Sequence, residues 1–192
     1  MMNIQLILVL LLVAAASARN LVRVSTARDA TVGYNGLMNA DGTFDAFTPK
    51  GMERQLVALN TETNKQRILL GFEMPKHITD LTRVRRCKLH VPRPIERPHH
   101  DYMLTAYEAS SNWEERTVTA AAGVRAGRRQ GSVVVRRGHN PHKIDVTEAC
   151  RAIEHGGRFS VFLDSSGPLV SFFSRNSDRR PEDKFSVEIL FY

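Results

Sequence analysis

Apolar and polar residues alternate with a period of two along much of the chain. Ile68, Leu70, Phe72 and Met74 alternate with Arg67, Leu69, Gly71 and Glu73, and Cys87, Leu89 and Val91 alternate with Lys88 and His90. Phe159, Val161 and Leu163 alternate with Ser160, Phe162 and Asp164; Phe185, Val187, Ile189 and Phe191 alternate with Ser186, Glu188, Leu190 and Tyr192. Successive side chains of a strand point to opposite faces, so each segment predicts a strand with one buried face. Shorter strands are predicted at residues 21–24, 55–59, 103–109, 132–136, 143–146 and 169–174. Turn-forming clusters such as Asn39-Ala40-Asp41-Gly42 and Ser165-Ser166-Gly167-Pro168 separate them. About ten short strands without regular helices between them predict an all-β antiparallel sandwich. One short helix is predicted from Thr147, as N-cap, to about residue 155, with Gly156 and Gly157 as its stop. Residues 28–50, poor in apolar side chains and punctuated by Gly and Asn, read as a loop-rich edge region. Internal repeats and low-complexity segments are absent from the sequence.

The alternation does not extend to the first residues. Residues 4–16 are almost wholly apolar, with Gln5 the one polar interruption, and Ala16-Ser17-Ala18 offers the small side chains a signal peptidase accepts. Residues 1–18 are therefore expected to be a secretory signal peptide, too short for a comfortable membrane span of about 20 residues. Residues 19–192 are expected to form one extracellular domain, with no later span. The chain of 192 residues is 24% charged and 42% hydrophobic, an ordinary globular profile. Asn-x-Ser/Thr sequons are absent from it.

Charge narrows the partners. The net charge is +7 and the pI about 9.8, which favours anionic polymers or surfaces. Residues 83–143 hold 13 Lys or Arg against five acids, so this stretch carries more than the whole excess. Within it Arg85, Lys88, Arg93, Arg97, Arg128, Arg129, Arg136 and Arg137 can form a stripe for carboxylate or sulfate groups, because guanidinium forks pair bidentately with such anions. Solubility is the competing reading of the same charges. Arg83-x-Arg85-Arg86 matches a dibasic processing site, but cleavage would divide the sandwich before the Cys87 strand, so it reads as a solvated basic edge. The two cysteines, Cys87 and Cys150, exclude a disulfide-rich mini-protein. Cys87 lies on the inward face with Leu89 and Val91, and the two thiols are expected to be either bridged or, by a narrow preference, two separate small hydrophobes, because strand parity fixes the face and not whether the faces meet.

Four segments in order give a resemblance. Asn64-Lys65-Gln66-Arg67-Ile68-Leu69-Leu70-Gly71-Phe72, Trp113-Glu114-Glu115-Arg116-Thr117-Val118-Thr119, Ile144-Asp145-Val146-Thr147-Glu148-Ala149-Cys150 and Val170-Ser171-Phe172-Phe173-Ser174-Arg175-Asn176 are followed by Pro181 and a closing strand that ends in Tyr192. Together they resemble the DNRLRE domain, also called carbohydrate-binding module family 96, over residues 29–192. The resemblance implies a secreted jelly-roll β-sandwich that binds polysaccharide, with acidic polysaccharide such as alginate the expected partner and no catalysis. Gly71 stands where the family often has a basic residue, Ile144 where it has Trp, and Asn176 where it has Glu, and Glu182-Asp183-Lys184 lengthens the approach to the last strand. These departures weaken the transfer of ligand specificity more than that of fold.

The candidate ligand-binding residues are Arg67, Lys88, His90, Tyr102, Tyr107 and Trp113. Trp113, the single tryptophan, offers a flat face for a pyranose ring or a lid over the core; the tyrosines serve equally as amphipathic surface residues. His90, His99, His100, Asp101, His139 and His142 lack the spacing of a metal site, whereas a structural Ca²⁺ on Asp29, Asp41 or Asp45 is an expectation by analogy with sandwich modules. No other cofactor is expected. Gly-x-Ser-x-Gly, a phosphate loop and a nominated pair of acids are all missing, and Tyr102 with His90 or His100 resembles a lyase acid and base without the motifs that accompany them. The reading is therefore a non-catalytic carbohydrate-binding module, with no nucleic-acid partner and no membrane span once the leader is removed. The alternative is a structural or adhesive protein of the extracellular matrix or cell surface.

Overall fold

The alternating segments pair into two antiparallel sheets. The computed structural model describes residues 20–34, 48–62, 64–96, 99–122, 124–136, 142–153, 157–167 and 169–192. The leader at 1–18, the turn at 39–42, Asp41, Asp45, Arg97, Arg137, His139 and the expected helix stop at residues 155–156 lie outside them. In chain order the strands are β1 (Asn20–Ser25), β2 (Arg28–Tyr34), β3 (Gln55–Asn60), β4 (Lys65–Glu73), β5 (Val84–Val91), β6 (Tyr102–Ala109), β7 (Ala126–Val135), β8 (His142–Asp145), β9 (Arg158–Ser165), β10 (Val170–Phe173) and β11 (Ser186–Phe191), with a helix α1 (Thr147–Arg151) between β8 and β9. The small sheet runs β1-β11-β5-β8, and the large one runs β10-β3-β4-β9-β6-β7 with β2 also paired to β4. The expected all-β sandwich is observed. The loop-rich reading of residues 28–50 fails at its start, where β2 pairs with β4 from Arg28↔Gly71 to Tyr34↔Lys65. Asp29 and Thr31 interrupt the apolar pattern there because both are buried polar residues with specific partners.

The core between the sheets holds the residues the period of two selects. Ile68, Leu70 and Phe72 of β4, Cys87, Leu89 and Val91 of β5, Phe159, Val161 and Leu163 of β9, and Val187 and Ile189 of β11 form one cluster. Phe72 stacks on Phe159 at 5.2 Å between ring centroids, and Phe172 meets the edge of Phe185 at 5.0 Å. A second cluster lies on the opposite face of the large sheet, where Ala30, Leu69, Ala109 and Phe162 are covered by Trp113 and Val118. The large sheet is thus apolar on both faces over β4 and β9, which is why Leu69 and Phe162 sit at polar-parity positions.

Cys87 and Cys150 are bridged, with Cα atoms 6.4 Å apart. This corrects the preference for separate thiols: the first turn of α1 brings Cys150 over β5. Thr147 is the first helical residue and not the N-cap, because Asp145 Oδ1 accepts from both its N–H (3.0 Å) and its hydroxyl (2.7 Å), while Thr147 Oγ1 accepts from Cys87 N–H at 3.0 Å. Arg151 completes the attachment by donating from Nε and Nη2 to Val84 O, at 3.0 and 2.8 Å.

Candidate functional site

The six candidate residues do not converge. Trp113 and Tyr102 are buried, at 5% and 4% exposure, so neither presents a ring to a ligand. Tyr102 belongs to the inter-sheet core, and burial pushes its phenol well above the ordinary value. His90 lies on the outer face of the small sheet, so the lyase-like pairing of Tyr102 with His90 has no geometric basis. Trp113 is a lid: its Nε1 donates to Ser160 Oγ at 3.0 Å, and its ring lies 4.6 Å from the Arg28 guanidinium. Gly71 lies beneath that lid, since a Cβ there would come within 2.9 Å of the Trp113 ring. Arg28 stands opposite Gly71 on β2.

Lys88 and His90 line the outer face of the small sheet. Cross-strand register places Arg23, Glu188, Lys88 and Asp145 in one row, an alternation of sign that neutralises itself. Glu188 accepts from Lys143 at 3.1 Å and lies 3.2 Å from His90 Nε2, and these bonds, that of Lys143 first, hold its carboxyl below the usual range. Burial lowers the His90 pKa, against the pull of Glu188. Arg129 pairs with Tyr107 on the far side of the sandwich, on the outer face of the large sheet. The basic residues therefore do not form one stripe.

Arg67 and Tyr107 remain, both on that outer face. A groove of about 300 Å³ lies beside the second cluster, lined by Val32, Gly33, Lys65, Arg67, Ala120, Val124 and Phe162. Arg67 Nε pairs with Asp164 Oδ1 at 2.9 Å, and its guanidinium lies 5.7 Å from the Phe162 ring centroid. Burial raises the Asp164 pKa, while Arg67 and Lys65 oppose the rise. Lys65 has no ion pair among the described residues, so the groove holds two cations against one acid. Tyr107 is half-buried one strand over from Phe162, packed on the second cluster.

Asp29, on β2, is the centre of a buried network that the sequence did not announce. Asp29 Oδ1 accepts from Ser174 Oγ (2.8 Å) and Oδ2 from Arg175 N–H (2.6 Å), while its own N–H donates to Glu115 Oε1 (2.9 Å). Arg175 donates to both Glu115 oxygens at 2.8 Å. Burial raises the Asp29 pKa to about 6. Burial pushes Glu115 the same way, but the bonds from Arg175 and from the Asp29 N–H outweigh it and leave the carboxyl below its ordinary value. Gly51 packs beneath, where a Cβ would fall 1.8 Å from Glu115 O. Both Asp29 carboxylate oxygens are thus engaged by hydrogen-bond donors, the Ser174 hydroxyl and the Arg175 backbone N–H, and no cluster of three metal-binding side chains occurs among the described residues.

These features define an all-β sandwich protein with a basic groove on its large sheet. No family model matches the chain. It is similar to an uncharacterized secreted protein of Arthroderma benhamiae, 29% identical over 112 residues that cover 58% of this chain. The chain spans 56% of that relative's length. The likeness supports an extracellular location, and the protein is secreted. No helix among the described residues is long and apolar enough to cross a membrane.

Proposed function

We propose that the protein is a non-catalytic carbohydrate-binding module of the DNRLRE type, in a jelly-roll arrangement, and that the Lys65–Arg67 groove binds an acidic polysaccharide. The observation that carries this reading is the pairing of two cations with apolar walls in one concavity. Its volume of about 300 Å³ lies at the small end of ligand sites, which run from about 300 to 1,000 Å³. A sugar carboxylate would meet the Lys65 ammonium and the outer N–H groups of Arg67, whose Nε lies 2.9 Å from Asp164 Oδ1. The C–H faces of the ring would rest against Val32, Ala120 and Val124. Further support comes from the network around Asp29, which ties Glu115 of the second resembling segment to Ser174 and Arg175 of the fourth.

Calorimetric titration with oligogalacturonate tests the proposal. Lys65→Ala removes a side chain with no ion pair among the described residues, so the fold is unchanged and affinity is expected to fall about tenfold, the worth of one charge-assisted contact of about 1.4 kcal/mol. Unchanged affinity in Lys65→Ala and Arg67→Ala would remove the groove from the account. The absence of binding to any glycan would favour a structural or adhesive role.

A further inference from the structure

A second concavity lies where β10 and β3 meet, and it shares no lining residue with the groove. Phe172 and Leu56 are register partners and both point into the core, so Phe173 and its partner Gln55 point away from it. Phe173 and Gln55, with Arg54, Ser177, Asp178 and Arg179, line a cleft of about 380 Å³. The Arg179 guanidinium lies over the Phe173 ring at 4.7 Å and has no acidic partner among the described residues. Stacking on the ring face fixes the plane of the guanidinium and leaves its edge N–H donors directed outward. Arg54 Nη1 meets Asp178 Oδ2 at 3.1 Å, but both side chains are largely exposed, and a solvent-exposed pair of this kind contributes little and is readily shared with another anion. The Gln55 side chain makes no hydrogen bond among the described residues and can serve a hydroxyl as donor or acceptor.

The cleft is also built on a rigid base. Ser177 N–H and Oγ both bond to Ser174 O, at 3.1 and 2.8 Å, and Ser174 Oγ is itself bound to the buried Asp29. Lys184 Nζ ties down Ser177 O at 2.7 Å and Arg175 O at 3.1 Å. The turn that presents Asp178 and Arg179 is therefore anchored to the interior, so little ordering is needed for binding.

We propose that this cleft is a second ligand site, which takes the oxyanion group of a sugar, a sulfate ester or a carboxylate. Arg179 and Arg54 hold the oxyanion, Gln55 bonds a neighbouring hydroxyl, and the Phe173 ring edge packs on the sugar C–H groups. Amide NMR titration of the full chain tests it with three probes: a sulfated chondroitin tetrasaccharide, a galacturonate tetrasaccharide and neutral cellotetraose. The expected result is saturable shifts at Gln55, Phe173 and Arg179 with one or both anionic probes and none with cellotetraose. The two anionic arms identify which oxyanion is preferred. Arg179→Ala is expected to weaken binding at this cluster at least tenfold and to leave any shifts around Lys65 and Arg67 unchanged, and Lys65→Ala to do the reverse. Shifts that are absent with both anionic probes, equal with cellotetraose, or unaffected by Arg179→Ala would overturn the proposal, whatever happens at the groove.

Discussion

Asp29 is buried at 2% exposure beside Glu115, and it stays in place because the Ser174 hydroxyl and the Arg175 backbone N–H donate to its two carboxylate oxygens while its own N–H donates to Glu115. Its pKa is raised by burial to about 6 from 3.8, so the folded chain holds a proton between those pH values that the unfolded chain has released. This contribution favours the fold fully below about pH 3.8 and is lost as pH rises through about 6, amounting to about 3 kcal/mol. Glu115 has the opposite sign, since its lowered pKa supports the fold above its unfolded value and that support is lost as pH falls through the folded one. Carboxyl carbon NMR is expected to show Asp29 titrating near pH 6 and Glu115 below the ordinary glutamate range; a normal Asp29 titration would mean the network is more open to water than described. Two glycines, Gly51 beneath Glu115 and Gly71 beneath Trp113, are equally specific. Gly51→Ala places a methyl against backbone, which cannot yield as a flexible side chain can, and Gly71→Ala pushes on the Trp113 ring. Each is expected to lower stability by about 1–3 kcal/mol in denaturant titrations, more at Gly51.

At the scale of elements, strand parity sorts residues by energetic weight. Phe72→Ala and Phe172→Ala are expected to cost about 3–5 kcal/mol and Ile189→Ala about 2–5, because all three are fully buried in the inter-sheet cluster. Lys88→Ala is expected to change the melting temperature little, since Lys88 sits in a self-neutralising row on the outer face of the small sheet. Equal shifts in the two groups would mean the facing of β4 and β5 is wrong. The bridge between β5 and α1 closes a sequence separation of 63 residues, for which chain entropy gives about 4 kcal/mol. Alkylation under denaturing, non-reducing conditions is expected to modify no thiol, and the Cys87→Ala/Cys150→Ala protein to melt well below the parent. The strands of β4, β5, β9 and β11 were legible because their alternation is local. What escaped was non-local: β2 hides a strand behind Asp29 and Thr31, whose partners lie far along the chain at Ser174 and Val57. Phe162 and Leu69 look solvent-facing by parity because nothing near them in sequence announces that Trp113 will cover them. The same limit explains the scattered site residues. Residue type nominated Lys88, Tyr102 and Trp113, but only the pairing of strands shows that they occupy an outer face, the core and a lid. Arg67 alone among the six lines the groove, and its companion Lys65 was present in the resembling segment without being singled out.

For the whole molecule, the two outer faces differ in a way the net charge of +7 conceals. The small sheet's face alternates in sign, whereas the large sheet bears a concavity with an excess of positive charge. Binding to an anionic glycan is therefore expected to depend on a few located cations and not on the average charge, and to be screened over about 8 Å at physiological salt. The most direct measurement is retention of the secreted chain on gels carrying a polyuronate, a sulfated polysaccharide and a neutral glucan, at low and at physiological salt, beside its Lys65→Ala variant. The account predicts retention on an anionic gel at low salt that weakens steeply as salt rises, is reduced by Lys65→Ala, and is absent on the neutral glucan. Retention independent of salt, equal retention on the neutral gel, or no retention on any of the three would contradict it.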